Sequence, residues 1–192
     1  MPHRQALLEL LAKYKTLDKK EQQDQEAIVA FVQSNRDCFL RSNLEGHITA
    51  SCWLLSPDYK EVLITHHKKI GLWLQLGGHA DGESDVLQVA LKEAHEESGI
   101  DGIIALEGGI FDLEIHSIDR HQDVPKHLHY DVRFLLRAPK KEFWVSEESH
   151  NLAWVKIKDV IVEPRFTSSL KRMAEKWQKK LEPLGLQLEE TV

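Results

Sequence analysis

GGHADGESDVLQVALKEAHEESGI, residues 77–100, carries the strongest structural signal in this chain. A glycine-rich turn leads into a predicted helix whose last turns hold Glu93, Glu96 and Glu97, and Gly99 is the predicted C-terminal cap. Positions three and four residues apart share one helix face, so the three carboxylates point in nearly the same direction. Like charges on one face repel, and carboxylates near a helix C-terminus oppose the helix dipole. This arrangement favours a bound hard cation, Mg²⁺ or Mn²⁺, over a merely solvated acidic helix end.

The same segment resembles the Nudix box, G-x5-E-x7-R-E-U-x-E-E-x-G-U, in which U is a bulky apolar residue. That box is the signature of hydrolases acting on a nucleoside diphosphate linked to another group. Residues 78–100 align with it and depart at three places, where Ser84 replaces Glu, Lys92 replaces Arg and Ala94 replaces a bulkier residue. Glu83 is one residue from the lost Glu and is a candidate to stand in for it. Lys92 keeps the charge but lacks the bidentate fork of an arginine.

The resemblance covers roughly residues 45–180 and implies a fold. We expect an α/β (α+β) protein with the family's αβα sandwich, a mixed β-sheet and an N-terminal helical extension. The expected boundaries are 1–44 for the extension, 45–182 for the Nudix domain and 183–192 for a C-terminal tail.

The resemblance also implies the residues that bind metal and perform catalysis. The carbonyl of Gly77 and the carboxylates of Glu93, Glu96 and Glu97 would bind Mg²⁺ or Mn²⁺. Glu93 and Glu97 are the expected catalytic residues, and Glu93 either binds metal or orients the attacking water. Family members often recruit a further acid from a distal loop, and Glu148 in the SEESHN loop is the candidate base, with an exposed acidic turn as the alternative.

Further polar residues are candidates for substrate binding. His79 and Asp81 lie in the glycine-rich turn beside the expected metal ligands. His127, His129 and Asp131 alternate along a predicted strand, so they face one side of it. That side either contacts a metal or a substrate phosphate, or is a polar strand face whose histidines have partners within the protein.

Hydrophobic periodicity predicts the remaining elements. Helices are expected over 4–16, from an Asp18 cap to about Ser34, and over 167–180. Strands are expected at 47–56, 61–67, 71–76, 103–107, 111–118, 127–138 and 152–157. The first two strands should form a hairpin around Pro57 and Asp58.

Composition limits the class of partner. The chain of 192 residues has 42% hydrophobic and 29% charged residues, which is typical of a globular protein. A net charge of −6 argues against broad nucleic-acid or anionic membrane surfaces. The partner that the resemblance implies is a small nucleotide-derived substrate. Two cysteines, Cys38 and Cys52, with no CxxC pair and no apolar N-terminal leader favour a cytoplasmic location. The apolar faces of the N-terminal helices make a homodimer a reasonable expectation.

Several functions remain open at the level of sequence. The leading hypothesis is metal-dependent hydrolysis of an NDP-sugar or ADP-ribose type of substrate, because GGHAD-type members with a helical extension look more like those hydrolases than like the nucleotide-pool sanitisers. The alternative within the enzyme class is a nucleoside triphosphate pyrophosphohydrolase. Ser84 and Lys92 also allow a catalytically weakened nucleotide-binding protein. In a further hypothesis, His127, His129 and Asp131 hold zinc or iron independently of the box.

Overall fold

The computed structural model describes residues 2–68, 71–120, 123–145 and 149–181. In chain order, its elements are α1 Pro2–Lys13, α2 Lys19–Ser34, β1 Gly46–Leu55, β2 Glu61–His67, β3 Trp73–His79, α3 Val86–Ser98, β4 Ile104–Ala105, β5 Asp112–Ile118, β6 His127–Arg137, β7 Ser149–Lys156, α4 Ile157–Val162 and α5 Ser168–Leu181. Every predicted helix and strand has a counterpart here, and the short helix α4 is additional. The predicted tail, 183–192, lies outside the described residues.

Seven strands form one sheet in the order β4-β6-β1-β3-β2-β7, with β5 paired to β6. Strand β2 is antiparallel to both β1 and β3. Strands β1 and β3 therefore run in the same direction as neighbours, and the sheet is mixed. The expected class, helices combined with a mixed sheet, is confirmed.

The chain divides into two compact units. Unit 1 comprises Met1–Cys52, Gly77–Glu93 and Ala105–Leu135, and unit 2 comprises Trp53–Leu76, Ala94–Ile104 and Leu136–Val192. Strands β1, β3 and β6 and helix α3 each contribute residues to both units.

Helices α1 and α2 belong to unit 1 and bury their apolar faces there. Leu7, Leu11 and Ile28 are fully buried. The Asp18 side chain accepts a hydrogen bond from Glu21 N at 3.0 Å, which confirms the predicted cap of α2. Because these apolar stripes are already covered within unit 1, they no longer supply the surface on which the expectation of a homodimer rested.

Two acidic side chains of α2 also bind the backbone of β5 in unit 1. Glu21 accepts from Leu113 N and Asp24 accepts from Ile115 N, each at 3.3 Å. Both carboxylates are buried. They satisfy amide groups of β5, whose one strand partner among the described residues is β6. The boundary at residue 44 stays a prediction.

Unit 2 contains the end of β1 that pairs with β2, and the antiparallel pair of β2 and β7. Helix α5 buries Met173, Ala174 and Trp177, and the indole of Trp177 donates to the carbonyl of Tyr59 at 3.1 Å. Among the described residues, none of the helices combines the length and apolar character needed to cross a membrane.

Candidate functional site

Helix α3 presents the acidic residues of the box. It begins after Asp85, whose side chain accepts from Gln88 N at 3.2 Å. It ends at Gly99, which has a φ of +65° and donates to the carbonyl of His95 at 2.7 Å, as predicted for the cap. The helix is continuous over Val86–Ser98, so Glu93, Glu96 and Glu97 share a face by the helical repeat.

The three carboxylates differ in exposure. The side chain of Glu93 is 18% exposed, Glu96 is exposed, and Glu97 is 8% exposed. Burying an ionised carboxylate costs free energy unless a charge or hydrogen-bond donor compensates for it. Carboxylate oxygens on one helix face are also the ligands that a hard cation prefers.

The glycine-rich turn makes close backbone approaches that a side chain would prevent. A Cβ on Gly78 would lie 2.5 Å from both Cδ and Oε2 of Glu93, so the glutamate carboxylate rests against this glycine. A Cβ on Gly77 would lie 2.2 Å from Cβ of Ser51. Packing in unit 1 thus requires a glycine at position 77, whereas Gly78 leaves the space that the end of the Glu93 side chain occupies and so helps to set the position of Glu93.

The departures from the box have local partners. Lys92 is largely exposed, and its Nζ lies 3.4 Å from Oε1 of Glu93. The carboxylate of Glu83, the candidate replacement for the lost Glu, accepts from Asp85 N at 2.8 Å. Ser84, which lies between Glu83 and Asp85 in the sequence, is half-buried. In this conformation Glu83 therefore helps to form the turn before α3.

Asp81 pairs with Arg41, a residue that the sequence analysis did not single out. Arg41 Nε donates to Asp81 Oδ1 at 2.5 Å, and a second guanidinium nitrogen bonds the other oxygen. The hydrogen bond from Arg41 holds the pKa of Asp81 below its usual range. Asp81 also has a φ of +49°, so the ion pair fixes an unusual backbone turn directly after His79.

His79 lies in a group of five histidines in unit 1, which we call the histidine cluster: His47, His79, His116, His127 and His129. The ring centroids of His79 lie 5.0 Å from His47 and 4.9 Å from His129. Those of His127 lie 5.0 Å from His47 and 5.2 Å from His129. His116 lies 5.3 Å from His129.

Burial makes three members of the cluster resist protonation. It lowers the pKa of His79 to about 4 and that of His129 to about 2, and neighbouring positive charge adds to the effect. Burial also lowers the pKa of His47. These three imidazoles are therefore neutral near pH 7.

Asp131 is bound within unit 1. Thr49 and Ser51 donate to its two oxygens at 2.9 and 2.7 Å, and Arg133 Nε donates at 2.7 Å. Burial alone would raise the pKa of Asp131, but the Arg133 charge and these hydrogen bonds lower it below its usual value. The structure thus places this carboxylate in an ion pair with Arg133.

The remaining candidates differ in what the structure says of them. Glu148 lies outside the described residues.

His47 was missed because it lies on β1, far in sequence from His127 and His129 on β6, and strand pairing between distant segments cannot be derived from one sequence. The one available signal was the position of His47 at the start of a predicted strand.

Comparisons with known proteins identify the family of the chain and several solved structures that resemble it. The model of the NUDIX domain matches residues 45–177. A NUDIX-family hydrolase from Clostridium perfringens superposes with a TM-score of 0.51 at 22% identity, over 70% of this chain and 97% of that one. The E. coli dihydroneopterin triphosphate pyrophosphohydrolase superposes with a TM-score of 0.51 at 17% identity, over 67% and 92% of the two chains. RenU, a Nudix hydrolase from M. smegmatis, gives 0.50 at 19% identity, over 73% and 87%. No curated protein sequence matches the chain.

Proposed function

The chain belongs to the NUDIX domain family. From this premise we propose that it is a pyrophosphohydrolase that catalyses the divalent-metal-dependent hydrolysis of the diphosphate linkage in a nucleoside diphosphate derivative. The substrate class proposed is that of ADP-ribose and NDP-sugars. The observation that carries the proposal is the acidic face of α3, with Glu93 held against Gly78.

The residues of α3 suit Mg²⁺ or Mn²⁺. Both are hard ions that prefer oxygen ligands, and carboxylates and backbone carbonyls are their usual protein ligands. Glu93, Glu96 and Glu97 and the carbonyl of Gly77 would hold the ion. Gly78 supports this fit, because the missing side chain leaves room for the Glu93 carboxylate. When bound, the metal neutralises charge on the phosphate oxygens and lowers the pKa of coordinated water.

Each carboxylate has a proposed role of its own. Glu97, the most buried of the three, is the first metal ligand we assign. Glu93 binds metal or orients the attacking water, and the close contact with Gly78 fixes its carboxylate for either role. Glu148 stays the candidate for the base that takes the proton of the water.

Substrate binding is proposed for residues around the turn. The Asp81–Arg41 pair orders the segment after His79, and its guanidinium is a cation bound to a residue of the turn. His79 and His129 are neutral, so they would donate or accept hydrogen bonds instead of attracting phosphate by charge. His127 and Asp131 complete the proposed set. Asp131 would act indirectly, by positioning the buried side chains that donate hydrogen bonds to it, such as Thr49.

The main alternative is a nucleoside triphosphate pyrophosphohydrolase. The fold likeness to the E. coli dihydroneopterin triphosphate enzyme is compatible with both substrate classes, because folds of this kind do not fix specificity. The products separate them: NMP and a sugar phosphate in one case, NMP and pyrophosphate in the other.

A weakened nucleotide-binding protein is the second candidate, and the Lys92–Glu93 contact favours it. An exposed lysine at 3.4 Å restrains Glu93 less than the bidentate arginine expected at that place. Such a protein would bind nucleotides in the presence of metal without turning them over.

The test is a phosphate-release screen with Mg²⁺ and then Mn²⁺, using alkaline phosphatase to expose monoester products. The panel contains ADP-ribose, NDP-sugars, dinucleoside polyphosphates and nucleoside triphosphates. Glu97→Gln should lower the turnover by on the order of a thousandfold, because a metal ligand is lost. Glu175→Gln, which changes an exposed glutamate of α5, is the matched control and should keep full turnover. Equal background turnover in the wild type and Glu97→Gln would contradict the proposal and favour the binding protein.

We also propose a cytoplasmic location, because the chain has only two cysteines, Cys38 and Cys52, and no CxxC pair, as is usual for a protein of a reducing compartment. The homodimer stays a proposal that light scattering of the purified chain can test.

A further inference from the structure

The histidine cluster brings three potential metal ligands together in unit 1. His47, His127 and His129 each offer one ring nitrogen, and these nitrogens all lie within 4.8 Å of one another. His47 comes from β1 and the other two come from β6, the neighbouring strand. His127 and His129 are two residues apart, so they project from the same face of β6.

Two histidines of the cluster use one ring nitrogen on a backbone carbonyl, and other ring nitrogens of the cluster have no hydrogen-bond partner. Nδ1 of His127 lies 2.9 Å from the carbonyl of Pro125, and Nδ1 of His47 lies 3.4 Å from the carbonyl of Asn43. A histidine that donates from Nδ1 to a carbonyl has its lone pair on Nε2, as is usual for metal-binding histidines. Nε2 of His47 and Nε2 of His129 are buried and have no hydrogen-bond partner. An unsatisfied buried polar atom destabilises the folded protein, and a bound metal ion would remove that cost.

We propose that His47, His127 and His129 form a site for a transition-metal ion, Zn²⁺ in the first instance, distinct from the Mg²⁺ or Mn²⁺ site of the box. Imidazole nitrogens suit zinc and related ions, whereas Mg²⁺ and Mn²⁺ prefer the carboxylates of α3. Tetrahedral zinc with Zn–N bonds of about 2.0–2.1 Å places its ligand nitrogens roughly 3.3 Å apart, which small side-chain rotations can reach. Three protein ligands leave a fourth position for water or another oxygen ligand.

This assignment replaces one member of the set expected from the sequence. That hypothesis grouped His127 and His129 with Asp131, whose oxygens are taken by Thr49, Ser51 and Arg133. His47 takes its place, because it presents a buried nitrogen without a partner.

The test begins with the wild-type chain, stripped of metal by a chelator and dialysed against ZnSO₄ with excess Mg²⁺. Elemental analysis should find one zinc ion per chain. X-ray absorption should show nitrogen ligands at about 2.0–2.1 Å with the multiple-scattering signature of imidazole. Binding should also raise the melting temperature, since a ligand of the folded state stabilises it. Zinc ligated by oxygen alone, or no retained zinc, would overturn the proposal in a chain known to be folded.

Variants locate the ion. His47→Gln and His127→Gln should each weaken zinc binding by at least tenfold, since outer-shell changes alone cost about 10–100-fold. His66→Gln changes a histidine outside the cluster and should retain one zinc per chain. A Glu93→Gln/Glu97→Gln double variant should also retain it. Loss of zinc from that double variant, with retention in His47→Gln and His127→Gln, would place the ion at the box and refute the site. Zinc content is measured without substrate, so failure of the proposed hydrolysis leaves this result readable.

Discussion

At the scale of the residue, Gly78 shows how the lack of a side chain can position a functional group. A Cβ at this position would lie 2.5 Å from the Glu93 carboxylate, which is well inside van der Waals contact. We expect Gly78→Ala to displace that carboxylate and lower the turnover by about a hundredfold, because displacements near 1 Å can cost that much. The Mg²⁺ concentration at half-maximal activity should rise with it.

The free energy of unfolding should change little in Gly78→Ala, because the atoms that must move are at the end of a flexible side chain. Gly108→Ala is the matched control, since a Cβ there meets no atom within 4 Å. Full activity in Gly78→Ala would show that Glu93 does not depend on this contact. An equal loss in both variants would point to an effect of alanine unrelated to Glu93.

Single residues were predictable where the relevant interaction is local. The Asp18 cap and the Gly99 cap depend on neighbours within a few residues, and both were confirmed. Asp131 and His47 depend on residues more than 75 positions away, such as Thr49 for the first and His127 for the second. Their partners are set by strand pairing, which periodicity does not encode.

At the scale of the element, the C-terminal end of α3 combines a residue in the left-handed conformation with a close contact to an aromatic side chain. Gly99 has a φ of +65°, and a Cβ there would lie 1.9 Å from Cε2 of Trp144. We expect Gly99→Ala to lower the free energy of unfolding by about 2–4 kcal/mol, as the sum of the left-handed conformation and the overpacking. Denaturant titration followed by circular dichroism measures it.

Gly102→Ala separates the two contributions to that loss. Gly102 also has a positive φ, +77°, but a Cβ there would meet Pro139 Cγ at an ordinary 3.5 Å. Gly102→Ala should therefore lower the free energy of unfolding by only about 1–2 kcal/mol, through the left-handed conformation alone. Trp144→Ala in the Gly99→Ala background should recover the part of the unfolding free energy that Gly99→Ala loses through overpacking against the indole. Equal losses in Gly99→Ala and Gly102→Ala would mean that the indole moves away at no cost.

Elements with strong periodicity were predicted well, and short elements were not. Helix α2 and strand β6 lie within two residues of their predicted bounds. Helix α4 has only six residues and was not predicted; the strand expected at 152–157 overlaps it at Ile157 alone. Strand β4 has two residues and is defined by its pairing to β6, so the sequence predicted it too long.

At the scale of the whole molecule, the N-terminal helices act as part of unit 1 and not only as an extension. The buried carboxylates of Glu21 and Asp24 accept from backbone amides of β5. Glu21 also accepts from the hydroxyls of Tyr14 and Thr16 at 2.6 and 2.7 Å. Without α1 and α2, these β5 amides would lose their acceptors, and Leu113, which is now buried, would lose part of its cover.

We therefore predict that a chain beginning at residue 45 will aggregate or lose cooperative unfolding, although it contains all of the matched family region. Size-exclusion chromatography and thermal unfolding of the truncated chain test this. Glu21→Ala in the full chain is the finer probe and should cost about 2–4 kcal/mol, since the Tyr14 hydroxyl and the Leu113 amide each lose an acceptor. Glu26→Ala, at an exposed position of the same helix, should cost less than about 0.5 kcal/mol. A truncated chain that unfolds cooperatively with the full-length melting temperature would restore the view of residues 1–44 as an accessory, because the β5 amides would then need no acceptor from α2.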